Sequence, residues 1–144
     1  MIDLPPLPVP VLMPVTALCV QAHAKTYALH PDLLWAILIV EGGTVGEKTE
    51  NSNGTFDSGP AQINSIHLDE LKALGITEES LQNDGCENVR AQAHILKSKI
   101  ANTTIQTEED YLLAIARFHS KTPKHAKRYV TKLKEAFTLL YKDN

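Results

Sequence analysis

From Pro31 to Glu41 the chain reads PDLLWAILIVE, and every position from Leu33 to Val40 is apolar. A helix without a polar face must be enclosed by the rest of its domain, so this segment is expected at the centre of the fold. Pro31 suits the first helical position, where its missing N–H would have had no partner. Gly42 and Gly43 follow directly and stop the helix.

The rest of the chain reads as further helices around one long loop. Thr16 is the expected N-cap of a first helix reaching Leu29. Ser65 is expected to cap a third helix ending at Gly75, followed by a short turn around Glu78–Leu81. A fourth helix from about Glu87 to Ala101 carries Val89, Ala93, Leu96 and Ile100 on one stripe. Thr107 and Asp110 match a capping box for a fifth helix ending near His119. Pro123 opens a last helix with the stripe Tyr129, Leu133, Ala136, Phe137 and Leu140. Residues 42–64 are different. They hold Gly42, Gly43, Gly46, Gly54, Gly59 and Pro60 beside Asn51, Asn53, Asp57 and Asn64, which is turn chemistry, with a short hairpin expected near Thr55–Phe56. A loop of this length inside a small domain is more often functional or disordered than neutral.

Five of the eight prolines fall between Pro5 and Pro14, so residues 1–14 are expected to form an extended arm outside the core. The remainder, 15–144, is long enough for one domain with one core. The expected fold class is mainly α, a single helical domain with a small loop or β-hairpin region beside a cleft.

Charge and composition exclude several functions. A net charge of −3 argues against a dedicated nucleic-acid binder. The basic residues Lys121, Lys124, Lys127, Arg128, Lys132, Lys134 and Lys142 nevertheless crowd the C-terminal stretch, opposed only by Glu135 and Asp143. This is either a solvated helix face or a surface turned toward an anionic polymer. The two cysteines, Cys19 and Cys86, form neither a CxxC pair nor a Cys/His cluster, which argues against zinc. They are either a staple between two helices, suited to an oxidising compartment, or two buried thiols. No apolar run reaches the roughly 18 residues of a membrane span. The proline-broken start lacks a basic leader region, and Leu18 before Cys19 does not fit a lipidation motif.

Glu41 is the leading candidate for chemistry. Leu34, Ile37 and Leu38 precede it by seven, four and three positions, so the carboxyl shares their apolar face at the C-terminal end of its helix. Desolvation and the negative end of the helix dipole both disfavour a charged carboxylate. A glutamic acid held in that way can protonate a glycosidic oxygen. The alternative is a helix-end glutamate that reaches solvent. Asp57, in the long loop, is the nearest second carboxylate, whereas Asp32, Asp69 and Asp84 read as cap or surface residues.

The stretch ILIVEGGTVGEKTENSNGTFDSGPAQIN resembles the core motif of the lytic transglycosylases, which share a goose-lysozyme-like fold. Its elements here are Glu41, Asn53–Gly54–Thr55, Asp57, Gly59 and Gln62–Ile63–Asn64. DGCENVRAQAHIL and AIARFHSKTPKHAKRYVTKL are similar to two further motifs of the subgroup associated with secretion, pilus and conjugation machines. The similarity runs from about Leu18 to Leu133. It implies cleavage of the β-1,4 bond between N-acetylmuramic acid and N-acetylglucosamine with closure of a 1,6-anhydro ring, Glu41 being the single acid and base; the alternatives are a goose-type muramidase that hydrolyses the bond and a catalytically inactive peptidoglycan-binding scaffold. It implies that Gln62, Asn53, Asp57, Ser58, His119 and Tyr129 border the sugar site, Tyr129 close to the glutamate, with Ser120 beside His119. It also implies a Cys19–Cys86 disulfide and no metal or organic cofactor. The implied partners are peptidoglycan strands and components of such a machine, met in the periplasm or outside the cell by a monomer. The chain departs from the pattern at Gly42 in place of serine, Ala61 in place of a cleft-wall methionine, and Phe118 in place of tyrosine.

Overall fold

The computed structural model describes residues 10–119 and 123–142. The described part is mainly α, with seven helices and a small sheet: α1 (Ala17–Thr26), α2 (Pro31–Glu41), β1 (Lys48–Glu50), β2 (Phe56–Ser58), β3 (Ile63–Asn64), α3 (Leu68–Lys72), α4 (Glu78–Asn83), α5 (Gly85–Ala101), α6 (Glu108–Ala116) and α7 (Pro123–Tyr141). A single 3-10 turn, Ser65–His67, leads into α3.

Helix ends follow local hydrogen bonding. Thr16 caps α1 as expected, accepting from Cys19 N–H at 3.1 Å. The helix stops at Thr26 and does not reach Leu29, because Ala28 turns left-handed (φ 53°) and Leu29 N–H bonds back to Ala24 O at 2.8 Å. His30, which the sequence did not mark as a cap, accepts from Asp32 N–H at 3.1 Å to start α2. Gly42 ends α2 in the left-handed region, φ 63°. Thr107 and Asp110 form the expected reciprocal box at the start of α6.

Further boundaries correct the sequence reading, among them the third helix, which ends at Lys72 and not at Gly75. Asn64 caps the turn into α3 by accepting from Ile66 N–H at 3.0 Å, while Ser65 Oγ accepts from Phe56 N–H in the sheet, also at 3.0 Å. The segment around Glu78–Leu81 is a helix, closed by a Thr77–Ser80 capping box. The α5 helix begins at Gly85, two residues early, because the Asp84 carboxylate takes the N–H groups of Cys86 and Glu87. The α6 helix ends at Ala116, and Phe118 and His119 continue in tighter turns, bonding to Ile115 O and Ala116 O.

The hairpin expected near Thr55–Phe56 is part of a three-stranded antiparallel sheet in the order β1-β2-β3. Lys48 pairs with Ser58, Glu50 with Phe56, Asp57 with Asn64, and Ser58 with Ile63. The β1–β2 connection turns on Asn53, whose Oδ1 accepts from Thr55 N–H at 3.1 Å.

The apolar interior has two parts. The larger gathers Leu33, Leu34, Ala36 and Ile37 of α2 with side chains of α1, α5, α6 and α7, among them Val20, Leu96, Ile115 and Leu133. The smaller lies under the sheet and comprises Ala61, Ile63, Leu71, Ile76, Leu81, Ala91 and Ile95. Leu38 and Phe118 pack against both. The undivided core expected from chain length is therefore split, with these two side chains bridging the parts. Fully buried Leu34 and Ile37 each stabilise the fold by about 1.5–3 kcal/mol through removal of apolar surface from water. Only one side of α2 is left out of the interior, with Ile39 exposed.

Residues 1–9 of the proline-rich arm lie outside the described residues. Its described end is strapped to the α4–α5 junction: Met13 N–H donates to Asn83 O at 2.9 Å, and Gly85 N–H to Met13 O at 2.7 Å. Beside it Cys19 and Cys86, 67 positions apart in the chain, form a disulfide between α1 and α5 with Cα atoms 5.7 Å apart. Closing a loop of that length restricts the unfolded chain by about 4 kcal/mol in a chain-entropy account. A Cys19→Ser/Cys86→Ser variant is expected to lose about that much stability. Urea unfolding of the variant beside the oxidised protein checks this.

Candidate active site

The last residue of α2 supplies the most enclosed acidic group near a cleft. The Glu41 side chain is 9% exposed. Tyr129, on α7 and 3% exposed, donates its hydroxyl to Glu41 Oε1 at 3.1 Å. His119, just beyond α6, places Nδ1 3.2 Å from the same oxygen. Among the described residues both contacts end on Oε1 and none on Oε2. The His119 ring stacks on Tyr129, centroids 4.9 Å apart and planes 16° apart. Two helices distant in sequence from α2 thus hold one carboxyl oxygen.

The electrostatics of the trio have clear directions. Burial, then the charge of Glu41 and its hydrogen bond, push the Tyr129 phenol far above its ordinary range, so Tyr129 remains a donor wherever the protein is folded. The hydrogen bond to Glu41 raises His119 above its usual 6.5, with burial and the charge of Lys132 acting against it and the Glu41 and Asp57 charges acting with it. While Glu41 is ionised it can only accept, so His119 Nδ1 carries the proton between them.

Glu41 opens on a cleft of about 380 Å³. The sheet side of that cleft contributes Asn53, Asp57, Gln62, Ile63 and Asn64. The helical side contributes Ile95, Lys99, Arg117, Phe118 and His119. The cleft lies where the two parts of the interior meet, which is why its walls are mixed: apolar at Ile63, Ile66, Ile95 and Phe118, polar elsewhere.

Close backbone contact keeps the sheet side beside Glu41. Gly43 N–H donates to Pro60 O at 3.1 Å. A Cβ at Gly43 would collide with Gly59 O and Gln62 Nε2, so only glycine permits the approach. Gln62 has φ 54° and turns its amide back to Gly59 O at 3.0 Å. Beneath, the fully buried Asn88 of α5 makes three bonds, donating to Ser58 O and Leu81 O and accepting from Ala61 N–H, each at 2.8 Å. One side chain thereby fixes β2, α4 and the Gly59–Gln62 turn to the helical body.

The expected site residues divide accordingly. Glu41, Gln62, Asn53, Asp57 and His119 line the cleft together. Asp57 is held by Asn64 Nδ2 at 2.9 Å. Ser58, expected at the sugar site, is instead buried, 3% exposed, because β2 alternates and turns it inward. Tyr129 lies behind Glu41 and contacts the carboxyl rather than the open cleft. Ala61, expected at the cleft wall, is fully buried in the smaller cluster, and Ile63, Ile66, Ile95 and Phe118 supply the apolar wall. Ser120 lies outside the described residues. The sequence reading missed Lys99 and Arg117 as cleft residues and Asn88 as a support. Lys99 follows the buried Ile95 by four positions, a spacing that was available but carried no sign of a cleft.

Fold and site thus define a mainly α domain whose small sheet and helical body enclose a cleft with one buried, doubly hydrogen-bonded glutamate. Over 130 residues, 85% of this chain and 76% of the relative, it is 32% identical to the invasion protein IagB of Salmonella typhi, and to the same extent to IagB of Salmonella typhimurium strain SL1344. A stretch of 86 residues, 54% of the chain and 52% of the relative, is 30% identical to a peptidoglycan-binding-like protein of Escherichia coli O157:H7. No protein-family model matches the chain. The chain belongs to the family of the IagB invasion proteins.

The contacts to Oε1 are separable. Replacing Tyr129 by phenylalanine removes a donor to a buried carboxylate and should cost about 2 kcal/mol of stability, measured by denaturant unfolding. His119 binds its proton more tightly folded than unfolded. Its contribution is therefore complete below the unfolded value of 6.5 and lost as pH rises through the higher native value. The stability gap between the unsubstituted protein and His119→Gln should be widest just below pH 6.5 and shrink at alkaline pH, as read from thermal unfolding across that range.

Proposed function

We propose that the protein is a peptidoglycan lytic transglycosylase with Glu41 as its catalytic acid and base. The observation that carries this is a single enclosed glutamate, held on one oxygen by Tyr129 and His119, at the wall of a cleft. The family relationship supports a cell-wall substrate: one relative, matched over part of its length, is described as peptidoglycan-binding-like.

In this reading a glycan strand lies along the cleft between Gln62, Asn53 and Asp57 on one side and Phe118 and His119 on the other. Glu41 Oε2 takes no hydrogen bond from the described residues, and we assign proton transfer to it. Protonated Glu41 gives its proton to the oxygen of the β-1,4 bond as that bond to C1 of muramic acid breaks. The resulting carboxylate takes the proton from the C6 hydroxyl of the same sugar as O6 bonds to C1. The products are a 1,6-anhydromuramic end and a free 4-hydroxyl, no water is consumed, and Glu41 returns to its starting state. Tyr129 and His119 support the carboxylate form midway, because both bonds to Oε1 are strongest when the group is charged.

Asp57 lines the same cleft and favours a second reading, a goose-type muramidase that hydrolyses the bond. A hydrolase working by retaining double displacement would need its second carboxyl about 5 Å from the acid. The proposed workplace is the periplasm or cell exterior, where a disulfide persists, and where cell-wall opening would serve a secretion, conjugation or pilus apparatus. No described helix is long and apolar enough to cross a membrane.

Purified sacculi treated with the protein should release muropeptides ending in 1,6-anhydromuramic acid, seen by mass spectrometry. Glu41→Gln should lower the rate about a hundredfold or more while the fold persists by circular dichroism. Reducing ends would establish the hydrolase instead. Full activity in Glu41→Gln would remove the glutamate from the chemistry.

A further inference from the structure

On the far side of His119 the described surface carries the cations Arg128 and Lys132. A second pocket of about 220 Å³ is lined by His119, His125, Arg128, Tyr129 and Lys132. Its volume is below the roughly 300–1,000 Å³ of sites that hold a whole ligand, and suits one functional group. His119 also lines the main cleft, so its ring stands on the border between the two. His125, Arg128 and Lys132 follow one another at three and four positions along α7 and share a face.

Among the described residues no acidic side chain lines this pocket. Among the described residues neither Arg128 nor Lys132 enters an ion pair, and the pair made by α7 is Lys134 with Glu109, at 3.7 Å. Like charges at helical spacing repel, so the cluster is a standing cost that an arriving anion would remove. The charge of Lys132 reaches His119 and therefore the neighbourhood of Glu41.

We propose that this pocket is a subsite for a carboxylate of the peptide stem on the muramic acid at the cleaved bond, with Arg128 and Lys132 as its ligands. The proposal rests on the peptidoglycan reading of the main cleft and adds what it does not contain, a determinant for the peptide. With its lactyl carboxyl bound as an amide to the stem, the N-acetylated glycan backbone is neutral and offers these cations nothing. The stem, attached through the lactyl ether of muramic acid, carries free carboxylates beside the bond to be cut. The guanidinium of Arg128 can take a carboxylate through two parallel N–H bonds, and Lys132 adds a point charge.

Equilibrium binding to the Glu41→Gln protein tests this without turnover. Two probes are used: soluble glycan strands with intact stems, and the same strands with every stem carboxylate converted to a carboxamide. Strands with free stem carboxylates should bind about tenfold tighter or more, as charge-assisted hydrogen bonds predict. Adding Arg128→Gln/Lys132→Gln should erase that preference. Adding Lys124→Gln/Lys127→Gln, an equal charge loss outside the pocket, should preserve it. Equal binding of both probes, a preference that survives the Arg128/Lys132 change, or an equal loss in both double variants overturns the subsite and leaves the cleft reading intact. Binding of neither probe overturns both.

Discussion

The hydrogen bond from Tyr129 to Glu41 joins the last long helix of the chain to the C-terminal residue of the central one. An ionised carboxylate with 9% of its side chain exposed is costly unless polar partners replace lost water. Tyr129 supplies one such partner from a phenol that is itself enclosed, and His119 supplies another from above. These bonds require α7 and the end of α6 to dock against α2 in one register. Leu133 and Ala136, on the same stripe as Tyr129, fill the interior against α2 and provide the apolar burial behind that docking.

The opposite wall is held by different means. The sheet is short, and β3 spans only Ile63–Asn64. Two such strands would be marginal alone. Asn88 ties them to α5 through backbone atoms, and Gly43 lets the Gly59–Gln62 turn approach the end of α2. The disulfide anchors that same end of α5 to α1. The cleft is the space between a helical body packed on α2 and a loop-and-sheet region bonded to α5.

Legibility in the sequence tracked how local each cause was. The apolar run of α2, the Thr16 and Thr107 caps and the stripe of α7 act within a few residues, and each appears where the pattern placed it. The cap at Asn64 was missed because Ser65, one position on, is an equally good cap by type, and its hydroxyl is taken by Phe56 across the sheet. The α4 helix is only six residues long, too short for a periodic stripe. Ser58 looked like a cleft residue beside Asp57, but alternation along β2 sends neighbours to opposite faces. Lys99, Arg117 and Asn88 gave no sign, because their importance lies in what crosses over to meet them.

By itself the sequence determined that α2 would be central and would end in an acidic group on an apolar face, because helical spacing and two following glycines are enough for that. The fold class followed from the same periodicity. Only the tertiary structure decided which oxygen of Glu41 is held, that Tyr129 stands behind it while His119 borders two pockets, and that the cations of α7 gather around a hollow. Those facts depend on the angle and register at which helices some eighty residues apart meet, and no local pattern encodes them.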